Sequence, residues 1–197
     1  MFQSPYITLI FLWIIFGIVH RGLSSGIVTR AATRLMGKAA KYYRAVYSLF
    51  VLIALLFLIH YHFAAIDTIL FRPHWIEKII AGILIIGSVV IMVVYVWSYI
   101  ISFSGVGVVL GMEGKNELQQ TGLYAYSRHP MFAGAILFVW GVFLGYPYMN
   151  NLVSAGCVTV YAFINIYVVE KRLRLTYGDP YKVYGENVPL LFPKISK

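Results

Sequence analysis

The residues best suited to chemistry lie in one short stretch, residues 122–134, which reads GLYAYSRHPMFAG between apolar runs. Pro130 suits the first turn of a helix, because its missing N–H would have no partner there and its fixed φ already fits. His129 would then lie at the helix cap beside Arg128. A helix N-terminus favours an anion, and the planar guanidinium of Arg128 matches a carboxylate. With Gly122 allowing close backbone approach, the stretch predicts a polar pocket for a small molecule that carries a carboxylate.

The Arg128–His129 pair has a second interpretation that involves no ligand. Basic and aromatic side chains beside a membrane helix often do no more than anchor it among lipid headgroups. The residues by themselves leave both interpretations open, so the choice depends on the elements that position the pair.

Those elements belong to an integral membrane protein, according to the composition. The chain has 197 residues, of which 60% are hydrophobic and 12% charged, with a mean hydropathy of +0.79, whereas soluble domains carry about 25% charged residues. We predict an all-α fold and a single membrane domain over 1–197, with N-terminal helices in 1–103 and the functional part in 104–197. The net charge of +9 reflects membrane orientation, and we expect no nucleic-acid partner. The sequence leaves the oligomeric state open.

Five apolar runs predict five transmembrane helices. They cover residues 2–23 with a centre at 6–19, then 43–65, 76–103, 130–146 and 148–169. Pro147 ends the fourth run, and the very short turn after it predicts an antiparallel hairpin of the fourth and fifth helices. Residues 104–128 form the longest polar segment between helices and are expected to contribute backbone groups to the site. His60 and His62 are two positions apart on a helix and face different directions, so no metal site is predicted.

The connection between the first two helices, residues 21–44, carries six basic residues. Apolar side chains recur in it at helical spacing, at Ile27, Ala31, Leu35 and Ala39. This pattern predicts a basic amphipathic helix on an anionic membrane surface, with a solvated linker as the alternative.

Lysine and arginine are distributed unequally between the two sides of this bundle. Five crossings place 14 of the 16 on the side that holds residues 21–44, 104–128 and the tail 170–197. Because cytoplasmic loops of membrane proteins are rich in Lys and Arg, we predict that this side is cytoplasmic and that the N-terminus is outside. The tail then lies on the same face as Arg128 and His129 and can close the site.

Two motifs in the C-terminal half resemble one known family. Residues 122–134 resemble the G-x-Y-x-x-x-R-H-P-x-Y-x-G signature of isoprenylcysteine carboxyl methyltransferases and related phospholipid methyltransferases. Residues 170–184 are similar to the family's E-E-x-x-L-x-x-x-F-G-x-x-Y-x-x-Y ending, although Val169 replaces its first glutamate and Phe132 replaces the tyrosine of the first motif. Over shorter motifs, the N-terminal half is similar to bacterial NnrU-like proteins and membrane methanethiol S-methyltransferases.

The resemblance implies S-adenosylmethionine-dependent methyl transfer in a bacterial inner membrane, with the active site facing the cytoplasm. It implies that the polar turn and the tail contact the cofactor, through Gly122, Tyr124, Tyr126, His129, Pro130 and Tyr181. Arg128 would pair with a carboxylate of the cofactor or of the acceptor, as one catalytic residue. Glu170, the other, would orient the acceptor, contact the cofactor or simply pair with Arg128.

The implied methyl acceptor is a small or lipophilic molecule that enters from the bilayer, either a thiol or a carboxylate such as that of an isoprenylated cysteine. A carboxylate is already ionised at neutral pH, whereas a thiol, with a pKa of about 8.5, needs a base or a nearby positive charge. His20, His129 and Glu170 are the candidate bases. Two other functions stay open: a non-catalytic NnrU-like accessory membrane protein, and a membrane reductase similar to the sterol reductases, which share a His-Pro turn.

Overall fold

The computed structural model describes residues 5–65, 67–103 and 118–193, and this part of the chain is helical. Its seven α-helices are α1 (Pro5–Leu23), α2 (Gly26–Met36), α3 (Tyr43–Ala64), α4 (Trp75–Phe103), α5 (Pro130–Gly145), α6 (Met149–Tyr177) and α7 (Asp179–Asn187), with two 3₁₀ turns at Gly37–Tyr42 and Gly122–Ala125. The predicted all-α class is confirmed for these residues. Most of the predicted polar loop, residues 104–117, lies outside them.

Within the part of the chain that the structure describes, four helical stretches are long and apolar enough to cross a membrane, namely Pro5–Leu23, Ala45–Ala64, Trp75–Ser98 and Met149–Tyr177. They indicate an integral membrane protein, as predicted. The fourth predicted span, α5, is apolar but has only 16 residues. It therefore rises about 24 Å, less than the roughly 30 Å of a bilayer core. Four of the five predicted spans thus correspond to long apolar helices and the remaining one to this short helix, and the number of crossings and the orientation of the chain stay predictions.

The described residues separate into two compact units. One comprises those up to residue 68 together with 98–103, and the other comprises 69–97 and 118–193. In the first unit, the hydroxyl of Tyr43 donates to the carbonyl of Leu23 at 2.8 Å, and that of Tyr47 to the carbonyl of His20 at 3.3 Å. These bonds join the start of α3 to the end of α1. The prediction of a single domain over the whole chain stays untested.

The predicted amphipathic segment of the first unit is helical over α2. Ser25 caps the helix, because its hydroxyl accepts the N–H of Val28 at 3.3 Å. The apolar side chains of Ile27 and Leu35 are 74% and 88% exposed. Their position against an anionic membrane surface stays a prediction.

Glycines bring α4 and α5 close together in the second unit. Gly134, Gly141 and Gly145 recur along one face of α5. A Cβ added at Gly134 would lie 3.2 Å from the Met92 side chain, and one added at Gly145 would lie 3.2 Å from the Cβ of Ala81. Since residue numbers rise along α5 as they fall along α4, the two helices are antiparallel. Any larger side chain on this face of α5 would force the helices apart.

A three-residue turn joins α5 to α6 as the predicted hairpin. The turn is stabilised where the N–H of Leu70 donates to the carbonyl of Pro147 at 2.9 Å. α6 continues without a break to Tyr177, eight residues beyond the predicted end of the last span at residue 169. Residues 170–177 are polar but contain no helix breaker, and the helix ends only at Gly178, whose φ of +58° disfavours other residues. The first part of the predicted tail is therefore helical.

Candidate active site

The Arg128–His129 turn is held against the C-terminal segment by backbone hydrogen bonds. The N–H of Arg128 donates to the carbonyl of Pro189 at 3.0 Å, and the N–H of His129 donates to the carbonyl of Leu190 at 3.1 Å. His129 is the N-cap residue of α5, and Pro130 occupies the first turn, as the sequence predicts. Residues some 60 positions apart in the chain therefore fix the turn together.

Glu170 is buried, at 8% exposure, and contacts three side chains from separate parts of the second unit. Its Oε2 atom accepts from Arg128 Nη1 at 2.5 Å. Its Oε1 atom lies at hydrogen-bonding distance, 2.8 Å, from His129 Nε2 and accepts from the hydroxyl of Tyr181 at 2.6 Å. Arg174, one helical turn along α6, lies farther away, with Nη2 at 3.7 Å from Oε2. We refer to Arg128, His129, Glu170 and Tyr181 as the Glu170 network.

The surroundings of the Glu170 network shift the pKa values of Tyr181 and His129 in opposite directions. Burial raises the pKa of the Tyr181 hydroxyl, and the adjacent Glu170 carboxylate raises it further. Burial lowers the pKa of His129, and its hydrogen bond to Glu170 offsets only part of that effect. At neutral pH, Tyr181 is therefore a hydrogen-bond donor and His129 is uncharged.

One face of α7 covers the Glu170 network. Tyr181, Tyr184 and Gly185 share that face, since they are separated by three and four positions. The hydroxyl of Tyr184 donates to the carbonyl of Tyr124 at 2.7 Å. A Cβ added at Gly185 would lie 3.3 Å from Arg128 Nη1, so the helix backbone passes directly over the guanidinium. Gly185 was not among the predicted residues, because nothing local in the sequence indicates that its backbone approaches Arg128.

The remaining predicted residues shape the turn or lie at its surface. Gly122 begins the 3₁₀ turn with a φ of +64°, which favours glycine. Tyr124 contributes its carbonyl oxygen, and its ring lies edge-on to Tyr95 at 6.3 Å between centroids. Tyr126 is 66% exposed. His20, one of the candidate bases, belongs to the first unit, where its ring stacks on Phe16.

Two cavities adjoin α7. The first, of about 420 Å³, is lined by Arg128, Arg174, Gly178, Asp179, Tyr181, Lys182, Gly185 and Glu186. The second, of about 570 Å³, is lined by Gln120, Ala125, Asp179, Pro180, Val183, Tyr184, Asn187 and Val188. Of the two, only the first cavity reaches the Glu170 network; three of its side chains carry a positive charge, and Asp179 and Glu186 carry a negative one.

Fold and site together define a helical membrane protein with a buried Arg-His-Glu network at the start of a short apolar helix. The family model described as phospholipid methyltransferase matches residues 76–179, more than half of the chain, and the chain belongs to this family. The match contains Arg128, His129 and Glu170. It confirms the resemblance recognised in the sequence and supports a methyltransferase.

Three relatives share part of the C-terminal half. The methanethiol S-methyltransferase of Crocosphaera subtropica is 37% identical over 76 residues, which are 38% of this chain and 28% of the relative. Methanethiol S-methyltransferase 1 of Bradyrhizobium diazoefficiens is 34% identical over 73 residues, 36% of this chain and 24% of the relative. The methanethiol S-methyltransferase of Pseudomonas deceptionensis is 34% identical over 77 residues, which are 38% of this chain and 28% of the relative. The chain thus spans about a quarter of the length of these relatives. No solved structure matches the chain.

Proposed function

We propose that this protein transfers a methyl group from S-adenosylmethionine to a small thiol at the membrane. The observation that carries the proposal is the Glu170 network, since three of its four members lie inside the segment that matches the methyltransferase family. The relatives' names, which specify methanethiol, favour a small thiol over an isoprenylated carboxylate.

The residues present fit a cofactor that carries a carboxylate. Arg128 Nε is buried and has no hydrogen-bond partner among the described residues, so this guanidinium retains one donor for a ligand. The adjoining cavity of about 420 Å³ falls in the range of roughly 300–1,000 Å³ that is usual for small-molecule sites. Arg128 would bind the carboxylate of S-adenosylmethionine, with Arg174 and Lys182 at the cavity wall. The bound cofactor would supply a methyl group on a sulfonium, which is a good leaving group.

Positioning is the contribution that we assign to Glu170. Both carboxylate oxygens already accept hydrogen bonds from the protein, and the carboxylate thereby holds Arg128 and His129 in one arrangement. Methyl transfer is an in-line displacement, whose rate depends mostly on alignment and on exclusion of water. Of the three roles left open for Glu170 by the sequence, pairing with Arg128 therefore accounts best for its contacts.

The proposed membrane arrangement keeps the predicted orientation, with the N-terminus outside and the site facing the cytoplasm of a bacterial inner membrane. It rests on the 14 of 16 basic residues that this topology places on one side. In a Cys157→Ala background, a cysteine introduced at exposed Lys182 should react with an impermeant maleimide in inverted vesicles and not in intact cells. Labelling of this cysteine in intact cells would show that the chain has the opposite orientation.

Ligand binding and product formation by the full chain in detergent test the proposed function. We expect calorimetry to detect binding of S-adenosylmethionine, and headspace chromatography to detect dimethyl sulfide from methanethiol. His129→Ala should abolish both, whereas His74→Ala, which alters an exposed histidine outside the network, should change neither. Absence of binding by well-folded protein would instead favour the accessory function. Oxidation of a nicotinamide cofactor without methyl transfer would favour the reductase.

A further inference from the structure

We propose that His129 is the general base of the reaction and that its Nδ1 atom accepts the proton of the thiol, while Glu170 fixes the orientation of the ring. This inference rests on the proposed function, because only a thiol acceptor has a proton to lose. It assigns the base among the candidates that the sequence leaves open.

The hydrogen bonds of Glu170 determine which nitrogen of His129 carries hydrogen. The carboxylate accepts from the Arg128 cation and from the Tyr181 hydroxyl, which is the environment of an ionised group. An ionised carboxylate can only accept hydrogen bonds. The 2.8 Å contact between His129 Nε2 and Glu170 Oε1 therefore requires hydrogen on Nε2. In the uncharged ring, Nδ1 then has a free lone pair.

Among the described residues, four charged or titratable groups bear on His129. Glu170 faces it from α6 and favours protonation, while Arg128 in the same turn opposes it. Tyr181 on α7 and Arg174 on α6 reach His129 only through Glu170. The ring also lies at the positive end of the α5 dipole, which disfavours a second proton. Burial acts in the same direction, so that Nδ1 is available as a base at neutral pH.

Glu170, the other candidate base in the second unit, and the neighbouring Tyr181 are less suited to this role. Both oxygens of Glu170 accept hydrogen bonds from protein groups, and protonation of the carboxylate would disrupt its pairing with Arg128. Tyr181 donates its proton to Glu170 at 2.6 Å and has a raised pKa, so it is not a base at neutral pH. By contrast, no described residue hydrogen-bonds Nδ1 of His129.

The proposed step balances as a proton transfer coupled to a displacement. The S–H proton of the thiol passes to Nδ1, and the thiolate sulfur forms a bond to the methyl carbon of S-adenosylmethionine. The bond between that carbon and the sulfonium breaks, and its electron pair stays on the cofactor sulfur. The products are a methyl thioether, S-adenosylhomocysteine and a proton, which His129 releases to water.

Two acceptors that differ in acidity test the base. Methaneselenol is ionised at neutral pH and needs no base, whereas methanethiol does. His129→Gln keeps an N–H donor for Glu170 but has no basic nitrogen. We expect its kcat/KM to fall about 100-fold or more with methanethiol, as for loss of a general base, and less than about 10-fold with methaneselenol. Equal losses with both acceptors, or an unchanged rate with methanethiol, would overturn the assignment. Wild-type protein that methylates neither would refute the proposed function itself.

The tautomer can be measured without turnover. In full-length protein labelled with ¹⁵N-histidine, the signal that disappears in His129→Gln should show a protonated Nε2 and an unprotonated Nδ1 at pH 7. The chain has only five histidines, which makes this assignment practical. A protonated Nδ1 at pH 7 would refute the proposal even if the variant lost activity for structural reasons.

Discussion

Replacing Tyr181 with Phe removes one hydroxyl from the Glu170 network and leaves the ring in place. Tyr181 is only 2% exposed, and its hydroxyl lies 2.6 Å from Glu170 Oε1. Hydrogen bonds to charged groups contribute about 1.5–3 kcal/mol to stability. Glu170 keeps Arg128 and His129 as partners after the change, so the carboxylate stays paired. We therefore expect the free energy of unfolding to fall by about 1.5–3 kcal/mol.

Tyr184→Phe is a matched control on the same helix. Its hydroxyl donates at 2.7 Å to the neutral carbonyl of Tyr124 instead of to a carboxylate. A bond between neutral groups contributes only about 0.5–1.5 kcal/mol. Both substitutions delete the same atom from a buried tyrosine, so the difference between them measures the charge of Glu170. Only Tyr181→Phe should also weaken the binding of S-adenosylmethionine, because it alone loosens the carboxylate that orients Arg128.

Reversible unfolding in mixed micelles with increasing dodecyl sulfate, followed by circular dichroism, gives both free energies. The comparison is informative because the two variants share a helix, a detergent and an unfolded state. Tyr184→Phe costing as much as Tyr181→Phe would refute the reasoning, since the acceptor's charge would then make no difference. A cost below about 0.5 kcal/mol for Tyr181→Phe would mean that the hydroxyl does not stabilise the ionised carboxylate.

Three further outcomes are expected. Gly185→Ala places a Cβ 3.3 Å from Arg128 Nη1, so calorimetry should show cofactor binding weakened by roughly 0.5–1.5 kcal/mol, the cost of an off-rotamer side chain. Gly141→Ala places a Cβ 3.0 Å from an α4 side chain and should lower the free energy of unfolding by about 1–3 kcal/mol, whereas Gly82→Ala, with nothing within 4 Å, should not. Burial lowers the pKa of His129 from its ordinary 6.5, so the unfolded state binds more protons below that pH. The contribution of His129 to the free energy of unfolding should therefore be fully present above about pH 6.5 and be lost as the pH falls below that value. Unfolding measured as a function of pH should show a smaller decline for His129→Gln.

The apolar helices could be predicted from the sequence almost to the residue. α3 begins at the predicted Tyr43, and α4 begins at Trp75 instead of residue 76. Hydropathy serves well here because lipid solvates these helices over most of their length, so each apolar run corresponds to one element. The same criterion failed at the end of α6. Polarity marks where an apolar run ends, whereas a helix continues until its backbone is interrupted, and Gly178 is the first such residue.

The local sequence was enough to place only the turn of the site, whereas the resemblance named Glu170 and Tyr181 without fixing their contacts. Arg128, His129 and Pro130 are consecutive, and the preference of proline for a first helical turn was enough to place them. Glu170 lies 42 positions from Arg128, and its pairing depends on the length of the α5–α6 hairpin and on the extension of α6. Gly185 acts through the close approach of a backbone. No local pattern indicates either distance, and both become evident only in the folded chain.

The family's ending has two adjacent glutamates, of which this chain keeps Glu170 and replaces the other with Val169. Neighbouring positions on a helix project about 100° apart, so a carboxylate at position 169 would not share the donors that surround Glu170. The Glu170 network is already balanced in charge, with one cation at Arg128, one anion at Glu170, and His129 and Tyr181 uncharged. The replacement of the first glutamate by Val169 therefore leaves the hydrogen bonds of the Glu170 network intact.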